Sequence, residues 1–284
     1  MKQQHENIAI TAEEFSRFRI RLEFASGILL GDGKEYLVVS RLRKLLGQRN
    51  LPNFSELIYS MEHDRQFERQ VVDAMTTNET LWFRDTHPYD ILREHLFPEL
   101  SKNAGPIKIW SAACSTGQEP YSIKIQECEY RRQSTARSLS DVQILATDIS
   151  PSALQLARQG SYPQIAIRRG MPKEHLDTYF DETGVDEWTA NSAIRTGIEF
   201  REFNLQNSYT SLGKFDLIFC RNVLIYFSAE RKRDILIRMH GALKEGGYLI
   251  LGASEAVNKL QDYYDMVQCQ PGIIYRAKSV AAGR

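Results

Sequence analysis

Polar side chains follow four predicted strands of the sequence, at the points where these strands end. Glu119 and Asp148 come after the first and second strands, and Asn204 and Asn222 come after two later ones. Ligands of open α/β sheets bind outside the carboxyl ends of the strands, so we expect these side chains to line one cofactor site. There Asp148 can accept hydrogen bonds from both hydroxyls of a ribose, and Glu119 can bind a cationic ammonium group.

The loop after the first strand, Ala113–Gly117, consists of small residues that let backbone N–H groups approach a ligand closely. Its single glycine matches the dinucleotide fingerprint poorly, and it lacks the Lys-Ser/Thr pair of a P-loop. A tight strand-to-helix turn explains the spacing equally well. Asp148 could instead be a helix N-cap, although Ser150 already fills that position ahead of Pro151. The dipole of the following helix also favours Glu119 without any ligand.

The turn after the predicted strand 215–220 begins at Arg221 and Asn222 and reaches Tyr226. Methyltransferases that act on the amino groups of DNA or RNA bases carry Asn/Asp-Pro-Pro-aromatic at this position. No proline follows Asn222, which argues against a base methyltransferase. Tyr226 is either a functional side chain or an aromatic packed at a strand-to-helix junction.

The elements that position these residues alternate between strand and helix after Gly105-Pro106. This alternation predicts an α/β fold with a mostly parallel, Rossmann-like sheet and helices on both faces. The predicted strands are 107–110, 142–147, 215–220 and 248–251, followed by an edge hairpin of 266–268 and 272–275; the predicted helices are 119–129, 151–160 and 229–243, the last ended by Gly246-Gly247. We expect a small β insertion at about 179–202.

The first quarter of the chain is predicted to be a small all-α domain, residues 1–76. Thr11 and Glu14 form a capping box ahead of the first helix, and three further helices follow without any strand signal. Residues 77–105 form a linker and a helix that contribute to the cofactor site; this helix begins at Pro88 and stops near Pro98. Residues 106–284 form the predicted α/β domain that carries the cofactor site.

The bulk composition restricts the class of protein. The 284 residues contain 36 Lys and Arg against 36 Asp and Glu, and zero net charge argues against a nucleic-acid partner. No apolar run is long enough to span a bilayer, and the polar N-terminus has no signal-peptide core. The four cysteines show no metal-binding spacing, so we expect reduced, mostly buried thiols and a cytoplasmic protein with no bound metal.

The chain resembles the CheR family, the chemoreceptor glutamate methyltransferases of bacterial chemotaxis. The resemblance extends from about Phe15 to Tyr275. It rests on long motifs that follow one another in the family's order: Thr77–Arg84, Ile109–Ser122, Ala146–Ser150, Phe219–Phe227 and Lys244–Glu255. The resemblance implies transfer of a methyl group from S-adenosylmethionine (AdoMet) to glutamate side chains of the receptor's cytoplasmic helical bundle, with S-adenosylhomocysteine (AdoHcy) and a glutamyl methyl ester as products.

The resemblance also implies roles for individual residues. Arg84 would pair with the methionine carboxylate, Glu119 with its amino group and Asp148 with the ribose, while Tyr226 would lie near the transferred methyl group. The complete set implied for AdoMet is Asn78, Thr80 and Arg84 from the linker, Glu119 and Asp148, Asn204 and Leu205 beside the adenine, and Arg221 and Asn222 along the methionine and sulfonium.

Recognition of the receptor is expected to depend on the N-terminal domain. Arg41, Arg43 and Lys44 would suit acidic, glutamate-bearing helices, although such a charge run is also typical of a solvated helix face. Some family members grip a receptor-tail pentapeptide with a glycine-rich turn in the β insertion. Residues 181–188 contain a single glycine, so we predict recognition without the pentapeptide.

Other functions remain open at this point. A methyltransferase acting on RNA, a small molecule or another protein would use the same sheet. A non-enzymatic AdoMet sensor would keep Asp148 and Arg84 but would not need Tyr226. An NAD-dependent oxidoreductase is disfavoured by the loop with its single glycine.

Overall fold

The structure, a computed structural model, describes residues 8–133, 139–257, 259–270 and 272–279. Its contacts divide the described chain into two compact units. The first contains the residues up to Thr77 together with Tyr226–Arg231, and the second contains Asn78–Ile225 and the residues from Lys232 onward. No helix among the described residues is long and apolar enough to cross a bilayer.

The first unit is built from four helices, α1 (Ala12–Ser26), α2 (Glu35–Gln48), α3 (Phe54–His63) and α4 (Arg65–Met75). The predicted capping box is confirmed: Glu14 donates its N–H to Thr11 Oγ1 at 3.2 Å, and Thr11 donates its N–H to Glu14 Oε2 at 2.9 Å. Glu14 also accepts the backbone N–H of Ser55 at 2.8 Å. One carboxylate therefore caps α1 and fixes the start of α3.

The second unit is built on a seven-stranded sheet in the order β6-β2-β1-β7-β8-β10-β9. The first five of these strands are parallel, and β10 and β9 form an antiparallel hairpin at the edge, as predicted. The strands are β1 (Ile107–Ala112), β2 (Val142–Asp148), β6 (Ile198–Glu202), β7 (Phe215–Cys220), β8 (Leu243–Leu251), β9 (Tyr264–Cys269) and β10 (Gly272–Ala277).

Three long helices follow parallel strands: α7 (Gln118–Gln133) follows β1, α8 (Pro151–Gln159) follows β2, and α12 (Ala229–Ala242) lies between β7 and β8. The shorter helices α5 (His87–Ile91) and α6 (Phe97–Leu100) precede β1, and α9 (Gln164–Ile167), α10 (Lys173–Tyr179) and α11 (Ser192–Arg195) lie between α8 and β6. Ser150 caps α8 by accepting the N–H of Ala153 at 3.1 Å. All six residues of β7 are buried, as its apolar run predicts.

The β insertion lies earlier in the chain than the predicted 179–202. It is a three-stranded antiparallel sheet of β3 (Ser161–Pro163), β4 (Phe180–Gly184) and β5 (Glu187–Ala190), in the order β3-β5-β4. The extended residues after it, Ile198–Glu202, pair instead with β2 as the parallel edge strand of the main sheet. Alternation of residue types predicts a strand but not its pairing partner, because the partner lies far away in the sequence.

The helix predicted to stop near Pro98 ends at Leu100, after a π turn at Leu92–Leu96. The helix predicted over 229–243 ends at Ala242. Contrary to the prediction, Gly246 and Gly247 do not terminate it but lie inside β8, which begins at Leu243. A Cβ on Gly247 would meet the Asp216 carbonyl at 2.9 Å, so close strand packing explains that glycine.

Candidate active site

Backbone strain is concentrated in three segments at the carboxyl edge of the sheet. Nine described residues other than glycine have a positive φ, which costs free energy for any side chain with a Cβ. Six of the nine lie in these segments: Phe83, Asp85 and Thr86, then Ala113 and Ser115, then Asn222. Strain persists only where surrounding contacts hold it, and it is typical of ligand-binding loops.

The loop after β1 is held by the carboxylate that ends β2. Asp148 Oδ2 accepts the N–H of Ser115 at 2.8 Å, and Asp148 Oδ1 accepts the N–H of Ser150 at 2.9 Å. Ser115 donates its hydroxyl to the Asn78 carbonyl at 3.1 Å, and Asn78 donates its amide to Ser150 Oγ at 3.3 Å. The structure therefore brings the linker residue Asn78, the small-residue loop and Asp148 together, as the sequence predicts.

Glu119, at the start of α7, is buried against the end of β7. Its Oε1 accepts the hydroxyl of Ser111 at 2.7 Å, and its Oε2 accepts Arg221 Nη1 at 3.1 Å. Burial raises the pKa of Glu119, and the neighbouring Arg221 charge opposes that rise. A carboxylate has about four lone-pair directions, so Glu119 can accept further donors from a cationic ligand.

Arg221 ties the linker segment to the sheet. Its Nη2 donates to Asp85 Oδ2 at 2.9 Å and to the Arg84 carbonyl, and its Nη1 reaches Tyr89 Oη at 3.3 Å. Its side chain is only 2% exposed, so these bonds replace nearly all of its hydration. Asp85 and Tyr89 are site residues that the sequence reasoning missed. The signal was available, because an arginine that ends a fully buried strand requires acidic partners.

Asn222 follows Arg221 in the left-handed region, with φ 58°. Glu255, after β8, accepts the N–H groups of Asn222 at 2.7 Å, Leu224 at 2.8 Å and Gly252 at 2.9 Å. Asn222 Oδ1 and Arg221 Nε are buried and have no hydrogen-bond partner among the described residues. An unpaired buried polar atom costs about 1–3 kcal/mol, which a ligand could relieve.

The turn after β6 adjoins the same edge. Phe203 donates its N–H to the Asp148 carbonyl at 2.8 Å, which places Asn204 and Leu205 beside the end of β2. Leu205 is buried, and its carbonyl accepts the hydroxyl of Tyr209 at 2.8 Å and Arg238 Nη1 at 2.9 Å. An apolar side chain on a turn held by hydrogen bonds can pack against one face of a planar base.

Three predicted site residues have few contacts in the described chain. The Arg84 side chain donates a hydrogen bond to the Glu79 carbonyl at 3.4 Å. Thr80 is half-buried. Tyr226 ends the 3₁₀ turn Leu224–Tyr226, and its carbonyl accepts the N–H of Leu29 at 2.8 Å within the first unit.

The basic residues predicted to bind substrate differ in their surroundings. Arg41 donates to the carbonyls of Met75 and Thr76, the latter at 2.9 Å, and to Thr77 Oγ1 at 2.9 Å. It therefore caps the end of α4. Arg43 and Lys44 are exposed, and no ion pair of either is found in the described ranges.

The cysteines are free, as predicted, and Cys114 and Cys220 are buried at the ends of β1 and β7. Burial raises the pKa of both thiols. Because only a thiolate is an effective nucleophile, these residues serve as packing groups beside the site.

Both parts of the sequence match family profiles. Residues 13–76 match "CheR methyltransferase, all-alpha domain", and residues 78–273 match "CheR methyltransferase, SAM binding domain". The chain is 55% identical over 268 residues to Chemotaxis protein methyltransferase 1 of Pseudomonas aeruginosa, covering 93% of this chain and 98% of that protein. It is 52% identical over 269 residues to Chemotaxis protein methyltransferase Cher2 of Pseudomonas putida, with the same shares covered.

Solved structures resemble the chain more distantly. The magnesium protoporphyrin IX methyltransferase (ChlM) of Synechocystis PCC 6803, with bound SAM, has a TM-score of 0.40 and 14% identity, covering 94% of this chain and 92% of that one.

Proposed function

Because the chain belongs to the CheR methyltransferase family, an AdoMet-dependent family of chemotaxis, we propose that it methylates glutamate side chains of chemoreceptors. The product would be a glutamyl methyl ester, formed on the cytoplasmic helices of the receptor during adaptation. The side chains of the turn after β7 support glutamate as the methyl acceptor.

The turn Arg221–Phe227 offers amide, guanidinium, phenol and backbone groups, and its sequence contains no His, Lys, Asp or Glu that could remove a proton. An alcohol or amine acceptor would need such a base. A glutamate carboxylate has an ordinary pKa of about 4.3 and is already ionised at neutral pH. It needs positioning and exclusion of water more than deprotonation. This turn is the observation that carries the proposal.

The residues at the carboxyl edge fit AdoMet. When bound, AdoMet supplies a methyl group on a positively charged sulfur. The buried, unpaired Asn222 Oδ1 can face that positive region, and Glu119 retains free lone pairs for an ammonium group. Asp148 accepts a backbone N–H on each oxygen, and its position at the end of β2 suits hydrogen bonds from ribose hydroxyls.

The remaining roles follow from charge and position. Arg84 would bind the methionine carboxylate, with Asn78 and Thr80 beside it, and Asn204 and Leu205 would border the adenine. Arg221 holds the ligand-binding carboxylate in place, because its Nη1 and Nη2 donate to Glu119, Asp85 and Tyr89. Its buried Nε has no partner among the described residues and is the one donor left for a ligand. Tyr226 would orient the acceptor carboxylate.

Receptor recognition would involve the exposed cations Arg43 and Lys44 on α2. Arg41 is committed to the end of α4 and contributes through that contact. The hairpin of β4 and β5 turns at Val185 and Asp186 without the glycine-rich segment expected of a pentapeptide grip. We therefore propose that methylation proceeds on receptors from which the tail has been removed.

The test is transfer of radiolabelled methyl from AdoMet to membranes that contain a chemoreceptor. Label on the receptor band that mild base releases as methanol supports a glutamyl ester. A receptor whose methylated glutamates are replaced by alanine is the matched control, and it should take up no label. Base-stable label, or label on RNA or small molecules instead, would contradict the proposal.

A further inference from the structure

Glu255 lies outside the residues proposed to bind AdoMet, yet it accepts two backbone N–H groups of the turn after β7. Its Oε2 accepts the N–H of Asn222 at 2.7 Å and that of Gly252 at 2.9 Å, and its Oε1 accepts the N–H of Leu224 at 2.8 Å. Hydrogen bonds to an ionised acceptor are about twice as strong as neutral ones. One carboxylate thus joins the end of β8 to both sides of the turn.

The turn after β7 requires contacts that stabilise its strained conformation. Asn222 is held at φ 58°, where a side chain with a Cβ costs free energy, and its Oδ1 is buried without a partner among the described residues. A free turn would relax and pair this oxygen with water or backbone. Gly252 closes the other side, because a Cβ there would lie 2.9 Å from Asn222 Nδ2 and 2.8 Å from Glu255 Oε2.

We propose that Glu255 is a positioning residue for methyl transfer: it holds Asn222 in its strained conformation, so that Oδ1 stays directed at the cofactor site. This inference rests on the proposed AdoMet site. Glu255 touches neither cofactor nor substrate in this account. It acts through Asn222, and a misplacement of about 1 Å in such a group can cost about 100-fold in rate.

Glu255→Gln tests these hydrogen bonds to the turn, because the glutamine side chain has nearly the same shape as glutamate. A glutamine amide has an oxygen on one side only, and its NH₂ would face a backbone N–H on the other. Either Leu224 or the Asn222–Gly252 pair then loses its acceptor. Gly252→Ala is the second variant, because it displaces Asn222 while leaving the charge of Glu255 in place.

The matched control is Asp216→Asn at the opposite end of β7. Asp216 also accepts a backbone N–H, from Lys108 at 2.8 Å, and it pairs with Lys244. Asp216 lies near the amino end of β7, away from the carboxyl ends of the strands where AdoMet is proposed to bind. Its loss should lower the unfolding temperature and the fraction of protein able to bind AdoHcy, but not the turnover of each binding-competent molecule.

Three quantities are measured for each protein: AdoHcy stoichiometry and Kd by calorimetry, kcat per AdoHcy site on receptor membranes, and amide hydrogen exchange of the ligand-free peptide 221–227. For Glu255→Gln and Gly252→Ala we expect faster exchange in that peptide, a kcat per site lower by about 10- to 100-fold, and a smaller change in Kd. Unchanged kcat per site, or unchanged exchange, would overturn the proposal.

A double-mutant cycle with Asn222→Ala shows whether Glu255 acts through Asn222. In the Asn222→Ala background, Glu255→Gln should add less than about threefold to the loss of kcat. Additive losses would mean that Glu255 acts by another route. Failure of the proposed function is distinguishable, because the wild-type protein would then give no base-labile label although the exchange and AdoHcy measurements remain interpretable.

Discussion

Replacement of Arg221 by methionine removes the buried cation that joins the linker to Glu119. The change deletes donors to Glu119, Asp85, Tyr89 and the Arg84 carbonyl. Glu119 is 8% exposed, so its negative charge would be left buried without compensation. Breaking a buried pair in this way costs about 3–5 kcal/mol of unfolding free energy near neutral pH.

The cost should depend on pH in a definite direction. Burial already raises the pKa of Glu119, and loss of Arg221 removes the main effect that opposes the rise. An acid whose pKa is higher in the folded state binds protons more tightly there, so stability is lost as pH rises through the folded pKa. We therefore expect a larger loss at about pH 8 than at about pH 5.5, where Glu119 in the variant can take up a proton.

Urea unfolding followed by tryptophan fluorescence measures this loss. All three tryptophans, Trp82, Trp110 and Trp188, lie in the second unit, so the signal reports the domain that contains Arg221. Glu119→Gln in the Arg221→Met background should recover part of the loss, because the uncompensated charge is then gone. A loss below about 1 kcal/mol, equal losses at both pH values, or no recovery would refute the reasoning.

The remaining predictions concern ligand binding and turnover. Asp148→Ala and Arg84→Ala should each weaken AdoHcy binding by about 10- to 100-fold in calorimetry, as expected for hydrogen bonds to a charged group; unchanged affinity would remove that residue from the site. Tyr226→Phe should leave unfolding free energy within about 0.5 kcal/mol but lower kcat by about tenfold or more, and unaltered turnover would refute its role. Charge reversal at Arg43 and Lys44 should raise the KM for receptor membranes at low salt, with a smaller effect at high salt; an unchanged KM would leave only a solvated helix face.

Much of the fold follows from local patterns in the sequence. The capping box at Thr11, the N-cap at Ser150 and the apolar run Phe215–Cys220 each specify an element through neighbouring residues, and the structure confirms all three. The β insertion was misplaced because its strands are three to five residues long, and because its first strand, β3, pairs with β5 across the intervening α9, α10 and β4.

The candidate site was predictable in outline only. Parallel strands present their carboxyl ends at one edge, so the meeting of Asp148, Glu119 and Asn222 follows from topology. The partners of these residues do not follow from it. Arg221 meets Glu119 from 102 positions away, and Glu255 reaches Asn222 across 33. Such pairings depend on how the strands stack, and a single sequence records no signal for them beyond the need of a buried charge for a counter-charge.

We propose that a receptor glutamate accepts a methyl group from AdoMet at the carboxyl edge of this sheet. Peptide mass spectrometry of a chemoreceptor incubated with the protein and deuterated-methyl AdoMet tests this reaction. We expect deuterated methyl esters on glutamates of the cytoplasmic helices, removed by mild base and absent with Asp148→Ala at limiting AdoMet. Deuterated methyl on another residue type, or none on a receptor that a known chemotaxis methyltransferase does modify, would contradict it.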